Sequence, residues 1–461
     1  MNKNLTSTIA AIATAQGISG IGIIRVSGPD AILICSQIFE GKNLMSSEAS
    51  RMHFGKLHDS NNKIIDEVLV SIFRNPHSYT GEDVVEINCH GSYYILNEVL
   101  QLLVSNGATL AEPGEFTQRA FLNGKMDLSQ AEAVADLIHS ETEFQHRFAI
   151  NQMRGGIKDN IAELRSALID FASLIELELD FSEEDVEFAN RTKLIQLIKD
   201  IRIRIQELTQ SFTLGNAVKY GISTVIAGKP NAGKSTLLNA LLNEERAIVS
   251  EIAGTTRDTI EEKINIQGIL FRLIDTAGIR TTEDTIEKMG VERSLEKIQT
   301  SSILIYVADI TQSSKDQIVS DILNYKSENQ EVILLANKMD LYYTFDSSTL
   351  ATEYIPKENI IPCSAKNKMN IDFLKQRLFE LAVKNQSIQN TSIVVNSRHR
   401  SHLLQADQEL QLAESGLSSG LETDLIAQSL RRTIYELGSV TGNVSSDEIL
   451  GNIFGRFCIG K

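Results

Sequence analysis

The chain has 461 residues, too many for one hydrophobic core, so about two or three domains are expected. Hydrophobic content of 42% and charged content of 23% are ordinary for a soluble globular protein, and no apolar run reaches the roughly 18–20 residues of a membrane span. The net charge of −16 argues against broad, sequence-blind binding to nucleic acid, which needs a basic face; a local basic patch or a partner could still supply one.

Met1–Thr8 lacks the apolar stretch of a secretory signal. The four cysteines, Cys35, Cys89, Cys363 and Cys458, are too widely spaced for a metal or disulfide pattern, and a reducing cytoplasm fits them. Residues 1–123 predict a mixed α/β domain. Gly20–Gly28, Glu67–Phe73 and Asp83–Cys89 read as strands, Asn75–Gly81 as a loop, and Ser92–Leu103 has helical spacing. Arg25, Glu86 and Lys125 are charged residues in or beside apolar stretches, where solvent-facing positions and helix caps would account for them.

Residues 124–217 change to helices. Leu128, Ala131, Val134, Ala135 and Ile138 fall on one face, and so do Ile161, Leu164, Leu168, Phe171 and Ile175. Lys193–Phe212 gives a third amphipathic helix, after an acidic loop at Asp180–Glu187. Residues 218–384 alternate strand and helix, as a doubly wound parallel sheet does. Ile303–Ala308 and Val332–Ala336 are continuous apolar runs typical of strands covered on both faces, and Ile360–Cys363 is another strand. Helical spacing returns over 385–461, with Leu403, Ala406, Leu410 and Ala413 on one face and a further helix over Leu425–Leu437. The simplest reading is one helical domain interrupted by an inserted nucleotide-binding domain.

The inserted segment carries the chemistry. Gly228–Thr236 reads Gly-Lys-Pro-Asn-Ala-Gly-Lys-Ser-Thr, between the apolar run Ile222–Ala227 and the helical run Leu237–Leu242. Strand, glycine-rich loop and helix form the phosphate loop, whose N–H groups cradle phosphates while Lys234 reaches the outer ones and Ser235 binds Mg²⁺. Four motifs follow in the order a GTPase uses. Gly254–Asp258 offers Thr256 to Mg²⁺ and the terminal phosphate. Asp275–Gly278 follows the strand Leu270–Ile274; Asp275 would hold Mg²⁺ through water and the Gly278 N–H would sense the γ-phosphate. Asn337-Lys-Met-Asp340 ends a strand, and Asp340 can accept two N–H bonds from guanine, a donor pair that adenine lacks. Ser364-Ala-Lys366 completes the base pocket. The nucleotide contacts expected from these motifs are Asn231, Ala232, Gly233, Lys234, Ser235, Thr236, Thr255, Thr256, Asp275, Thr276, Ala277, Gly278, Asn337, Lys338, Asp340, Ser364, Ala365 and Lys366. Ile279 stands where small signalling GTPases place the glutamine that orients the attacking water. Candidates to replace it lie in Arg280–Lys288, chiefly Glu287. Asn231 could help hold a monovalent cation, while Arg257 and Arg280 are as readily structural as catalytic.

Across nearly its whole length the sequence resembles the MnmE (TrmE) family of bacterial tRNA-modification GTPases. The specific stretches are Gly22–Gly28, Tyr79–Asp83, Pro113–Phe116, Arg119–Asn123, Asp127–Glu132 and Phe457–Lys461, all outside the GTPase segment. The resemblance implies three parts: an N-terminal α/β domain for dimerisation and formyl-tetrahydrofolate, a discontinuous helical domain, and an inserted Ras-like P-loop GTPase domain. It places folate on Arg25, Glu86, Lys125 and Lys461. It implies a GTPase activated when two G domains pair around K⁺. Asn231 matches the side-chain K⁺ ligand, Ser250, Ile252 and Thr255 match the loop ligands, and Glu287 matches the residue that helps orient water; Lys234 and Thr256 hold the phosphates. It also implies a partner, the FAD enzyme MnmG, with which an aminomethyl-type group is placed on the wobble uridine of certain tRNAs; the net charge of −16 fits a division in which the partner grips most of the tRNA. Cys458 becomes a candidate near the folate-borne carbon unit, although a structural thiol serves as well, and Gly460 and Lys461 fit a prenylation motif poorly. The rival is a GTP-dependent ribosome-assembly factor using GTP as a timer. Such factors usually carry an RNA-binding module or basic tail, and neither is evident here.

Overall fold

The computed structural model describes residues 7–15, 17–180, 190–245, 261–275, 301–327, 330–341, 346–383, 396–419, 423–443, 450, 453–455 and 457–460. The chain groups into two units, one of residues 1–135, 152–205 and 401–461, the other of residues 136–151 and 206–400.

In the first unit, seven strands form one sheet: β1 (Ile9–Ile12), β2 (Ser19–Ser27), β3 (Phe39–Gly41), β4 (Arg51–His58), β5 (Ile64–Phe73), β6 (Val84–Gly91) and β7 (Thr109–Leu110). Their order is β3-β4-β5-β6-β2-β1-β7, antiparallel except where β7 runs parallel to β1. β5 shows the cause. Val68, Val70 and Ile72 point into the core while Glu67 and Leu69 face out, the period of two of a half-buried strand. The buried face is covered by helices Ala31–Ile38 and Tyr93–Ser105 through Ile32, Cys35, Leu96, Val99 and Leu103. Three strands and one helix lie within a few residues of the bounds expected from the sequence. β1, β3, β4 and β7, with helices Ala31–Ile38 and Glu115–Leu122, were not legible: β1 is four apolar residues, and β4 breaks its alternation with Gly55.

The same unit carries helices Leu128–Ile138 and Gly156–Asp180, the first part of Arg191–Tyr220, most of Ser397–Ser419, and Thr423–Thr441. Leu128, Ala131 and Val134 are buried as the 3.6-residue period predicts, against Leu450, Phe454 and Phe457, whereas Ile138 is exposed. Ile161, Leu164, Leu168 and Ile175 are buried, as are Leu403, Ala406, Leu410 and Ala413. Arg202 joins Asp407 and Glu414, each at 2.8 Å. Among the described residues no helix is long and apolar enough to cross a membrane.

The second unit is built on six strands: β8 (Ile222–Ala227), β9 (Glu261–Ile266), β10 (Ile269–Asp275), β11 (Ile303–Asp309), β12 (Glu331–Asn337) and β13 (Ile360–Pro362). Their order is β13-β12-β11-β8-β10-β9, parallel except for the β9–β10 hairpin. β11 is buried along its whole length, as expected of a strand covered on both faces. The hairpin turns through Gln267 and Gly268, both in the left-handed region, which suits a two-residue turn. A Cβ on Gly268 would lie 2.5 Å from the Phe144 ring. Phe144 and Phe148 of helix Glu143–Met153 pack into this sheet's core, which is why residues 136–151 group with the second unit.

Candidate nucleotide-binding site

The sheet order reverses direction at β8 and β11, and the loops after these strands open at their carboxyl ends, the usual ligand crevice of an α/β sheet. The phosphate loop leaves β8 and enters helix Lys234–Glu245. Asn231 and Gly233 take positive φ, so successive N–H groups curve into the concavity that suits an anion. Gly233 is required: a Cβ there would lie 2.2 Å from the Asn337 side-chain nitrogen. Lys234, 9% exposed, donates from Nζ to the carbonyls of Gly228 at 2.7 Å and Lys229 at 2.9 Å, which fixes its ammonium over the loop. Asn231, Ser235 and Thr236 are exposed at the helix entrance.

The base-reading motifs close on the same loop. Asn337 ends β12, with its side chain buried. Its Nδ2 donates to the Ala232 carbonyl at 2.7 Å, and its Oδ1 accepts the Ala365 N–H at 3.0 Å. One amide thus ties three segments together: the phosphate loop, the end of β12 and the turn after β13. Ser364 Oγ donates to Asp340 Oδ1 at 2.7 Å and accepts the Asn367 N–H at 3.3 Å, holding the carboxylate in place. Cys363 lies behind this turn, its thiol pushed up to about 12 by burial and therefore inert. Lys366 lies exposed in the turn after β13.

Asp309, which no motif announces, supports this site. It ends β11 in register with Asn337 of β12, and its Oδ2 accepts from Lys338 Nζ at 2.6 Å. Its Oδ1 accepts from Thr311 N–H and Oγ1. Burial works to raise its pKa, but the bonds from Lys338 and Thr311 outweigh it, and the carboxyl sits below its usual range. Lys338 has φ of +69°, unusual for a residue with a side chain, and this ion pair helps hold it there. The available signal was a carboxylate at the carboxyl end of an apolar parallel strand.

Several expected residues lie outside the described ones: Ser250, Ile252, Thr255, Thr256, Thr276, Ala277, Gly278, Glu287 and Lys461. So do Arg257, Arg280 and the acidic run 181–187. Asp275 is described only as the last residue of β10.

In the first unit, Arg25 and Glu86 are cross-strand partners on β2 and β6. Arg25 grips Glu86 Oε1 with Nε at 2.9 Å and Nη2 at 2.8 Å. Its guanidinium lies over the rings of Tyr79 and Phe116 at 5.4 and 5.7 Å, and Nη1 donates to the Gly460 carbonyl at 3.4 Å. Gly460, near the C-terminus, therefore meets Arg25. Cys458 is exposed. Lys125 donates to the Pro76 carbonyl at 2.8 Å, across the loop of residues 75–83. Arg119, almost fully buried, braces that loop through Glu82 and also bonds Glu115.

A largely parallel sheet with a phosphate-loop motif after its central strand, and an Asn-Lys-Met-Asp motif tied to that loop, defines a P-loop GTPase. The chain belongs to the MnmE family. A family model described as the MnmE helical domain matches residues 128–458, and one described as the GTP-binding protein TrmE N-terminus matches residues 8–125. It is 50% identical to the tRNA modification GTPase MnmE of Cytophaga hutchinsonii, over 99% of this chain and 98% of that protein. It is 50% identical to the protein of the same name from Parabacteroides distasonis, over 99% and 100%. Among solved structures, the G domain of the T. maritima FeoB iron transporter is 25% identical over 35% of this chain and 98% of its own, with a TM-score of 0.27.

Proposed function

We propose that this protein hydrolyses GTP to drive modification of the wobble uridine of certain tRNAs. The observation that carries this reading is the Asn337 amide joining the phosphate loop to the guanine-reading turn, in a chain whose curated relatives are named tRNA modification GTPases. The four-part division, 1–123, 124–217, 218–384 and 385–461, is retained as the functional one. The phosphates rest on the loop N–H groups and Lys234, and Asp340, with Lys338 beside it, reads the guanine edge. Ser235 stands exposed at the helix entrance beside the loop, which fits a Mg²⁺ ligand; with Thr256 it would hold the ion, which supplies positive charge at the phosphates. Glu287 orients the attacking water. Asn231, exposed in the loop, would hold K⁺ together with Ser250, Ile252 and Thr255 when the G domains of two copies meet.

The Arg25–Glu86 pair, set among Tyr79 and Phe116, suits a planar heterocycle with adjacent donors and acceptors, and supports a formyl-tetrahydrofolate site completed by Lys125 and Lys461. Cys458 stands two residues before Gly460, whose carbonyl meets Arg25. The protein acts as a homodimer with the FAD protein MnmG, which carries most of the tRNA contact, in the cytoplasm. The test is nucleoside mass spectrometry of tRNA from cells lacking the gene and complemented with wild type, Lys234→Ala or Arg25→Ala. Wild type restores a C5-substituted wobble uridine and neither variant does. Full modification with Lys234→Ala would overturn the reading.

A further inference from the structure

Gly228-Lys-Pro-Asn is the entry arm of the phosphate loop, and Lys234 depends on it. The carbonyls of Gly228 and Lys229 hold the Lys234 ammonium, so the place of this arm sets where that charge meets a phosphate. The Lys229 carbonyl also accepts the Ala232 N–H at 3.2 Å. Gly228 is wedged on β11, where a Cβ would lie 2.2 Å from the Val307 carbonyl oxygen. Ala232 is tied to Asn337. Between these two fixed points stand Lys229, Pro230 and Asn231. Pro230 has no N–H to offer and biases Lys229 toward extended backbone.

Among the described residues, one side chain gives this stretch a charged partner outside the loop. Lys229 Nζ lies 3.5 Å from Oδ2 of Asp321, on helix Lys315–Tyr325. The same oxygen accepts from the Tyr306 hydroxyl at 2.7 Å. Tyr306 is buried in β11, in register with Ala227, the last residue of β8 before the loop. Burial, and then the bond to Asp321, push the phenol's pKa up, so it stays the donor. Ile318 and Ile322 seat the helix in the same core as Tyr306, and a capping box at Ser314 and Gln317 fixes its start. The carboxylate is thus held by the fold, and the lysine is the partner that comes to it.

We infer that Asp321 is a positioning residue for the nucleotide: through Lys229 it anchors the entry arm of the phosphate loop to helix Lys315–Tyr325 and so places Lys234. A tether and a pair of bare charges predict opposite outcomes for one variant. As a charge alone, the carboxylate repels a nearby phosphate and the ammonium attracts it. Asp321→Asn would then tighten nucleotide binding while Lys229→Met weakened it. As a tether, both variants weaken binding by similar factors. The side chains of Lys229 and Asp321 are 46% and 28% exposed, so the factor is modest, about threefold.

The test is equilibrium binding of a fluorescent GDP analogue to the full chain in Mg²⁺ buffer, with steady-state GTP hydrolysis alongside. Asp321→Asn keeps an acceptor for Tyr306 and removes the charge that Lys229 meets. It is expected to raise the Kd for GDP and the KM for GTP about threefold, with the number of sites per chain unchanged. The surface variant Lys229→Met does the same, and Lys229→Arg, which keeps charge and reach, binds as wild type does. The double variant Lys229→Met/Asp321→Asn is no weaker than Lys229→Met alone, because the two changes cut one tether. Unchanged or tighter GDP binding in Asp321→Asn would overturn the inference, as would losses that multiply in the double variant. Fewer sites at an unchanged Kd would also overturn it, by showing that Asp321 serves the fold alone.

Discussion

Asn337→Ala is the sharpest perturbation of the nucleotide site. It removes the two strong hydrogen bonds of a buried side chain, along with a weak one from the Cys363 thiol at 3.9 Å, and strands two buried backbone groups, the Ala232 carbonyl and the Ala365 N–H. A buried polar group left unmatched costs about 1–3 kcal/mol. Taking the lower half of that range for each gives roughly 3 kcal/mol, shared between the second unit's stability and nucleotide binding. Because both ends of the amide hold nucleotide-contacting segments, most of the loss should fall on binding. The equilibrium constant for a fluorescent GDP analogue is expected to weaken about 100-fold, at roughly 1.4 kcal/mol per tenfold. Asn337→Asp separates the two ends. It keeps the acceptor for Ala365 but sets a charged oxygen against the Ala232 carbonyl, so it should bind worse than wild type even if it melts no lower. Less than a threefold loss of GDP affinity in Asn337→Ala, with the fold intact by circular dichroism, would refute the account of this amide as the tie between phosphate loop and base pocket.

Asp309→Asn should weaken GDP binding about tenfold, since it trades an ion pair with Lys338 for a bond from the same ammonium to a neutral amide oxygen. Because the native carboxyl lies below its ordinary range, its contribution to stability is full above that range and fades as pH falls through the lower folded value. The stability gap between wild type and Asp309→Asn, read from urea unfolding, should therefore stay flat from about pH 8 to 5 and shrink in stronger acid; a gap that grew there would contradict the ion pair. Arg25→Lys keeps the charge but loses the fork on Glu86, and should lower folate affinity at least tenfold while leaving GTP hydrolysis unchanged. Loss of both together would mean that the two sites are not separable.

Much of the nucleotide site was legible because its chemistry is local. Gly228–Thr236 must turn tightly after a strand and open a helix, so its residue types and spacing mark the fold. The same holds for Asn337–Asp340 at a strand's end. What the sequence hid was pairing across distance. Nothing in the run Ile303–Ala308 announces that Asp309 lies in register with Asn337 and holds Lys338, because register is fixed by the neighbouring strands. Arg25 and Glu86 read locally as solvent-facing charges, yet they are cross-strand partners 61 residues apart. Short elements failed for a simpler reason. β3 and β7 have three and two residues, too few to show a period. The hairpin of β9 and β10 turns on Gln267-Gly268, where only the glycine hints at left-handed backbone. Helix Glu143–Met153 has phenylalanines four apart at Phe144 and Phe148, but only the fold shows that they serve the nucleotide-binding sheet.

The most direct test of the proposed mechanism is GTP hydrolysis by the purified protein in potassium and sodium buffers of equal ionic strength, with Asn231→Ala measured alongside. The account predicts a large stimulation by potassium that the variant loses. Equal rates in the two salts would contradict it and turn attention to a protein-supplied charge, beginning with Arg257 and Arg280.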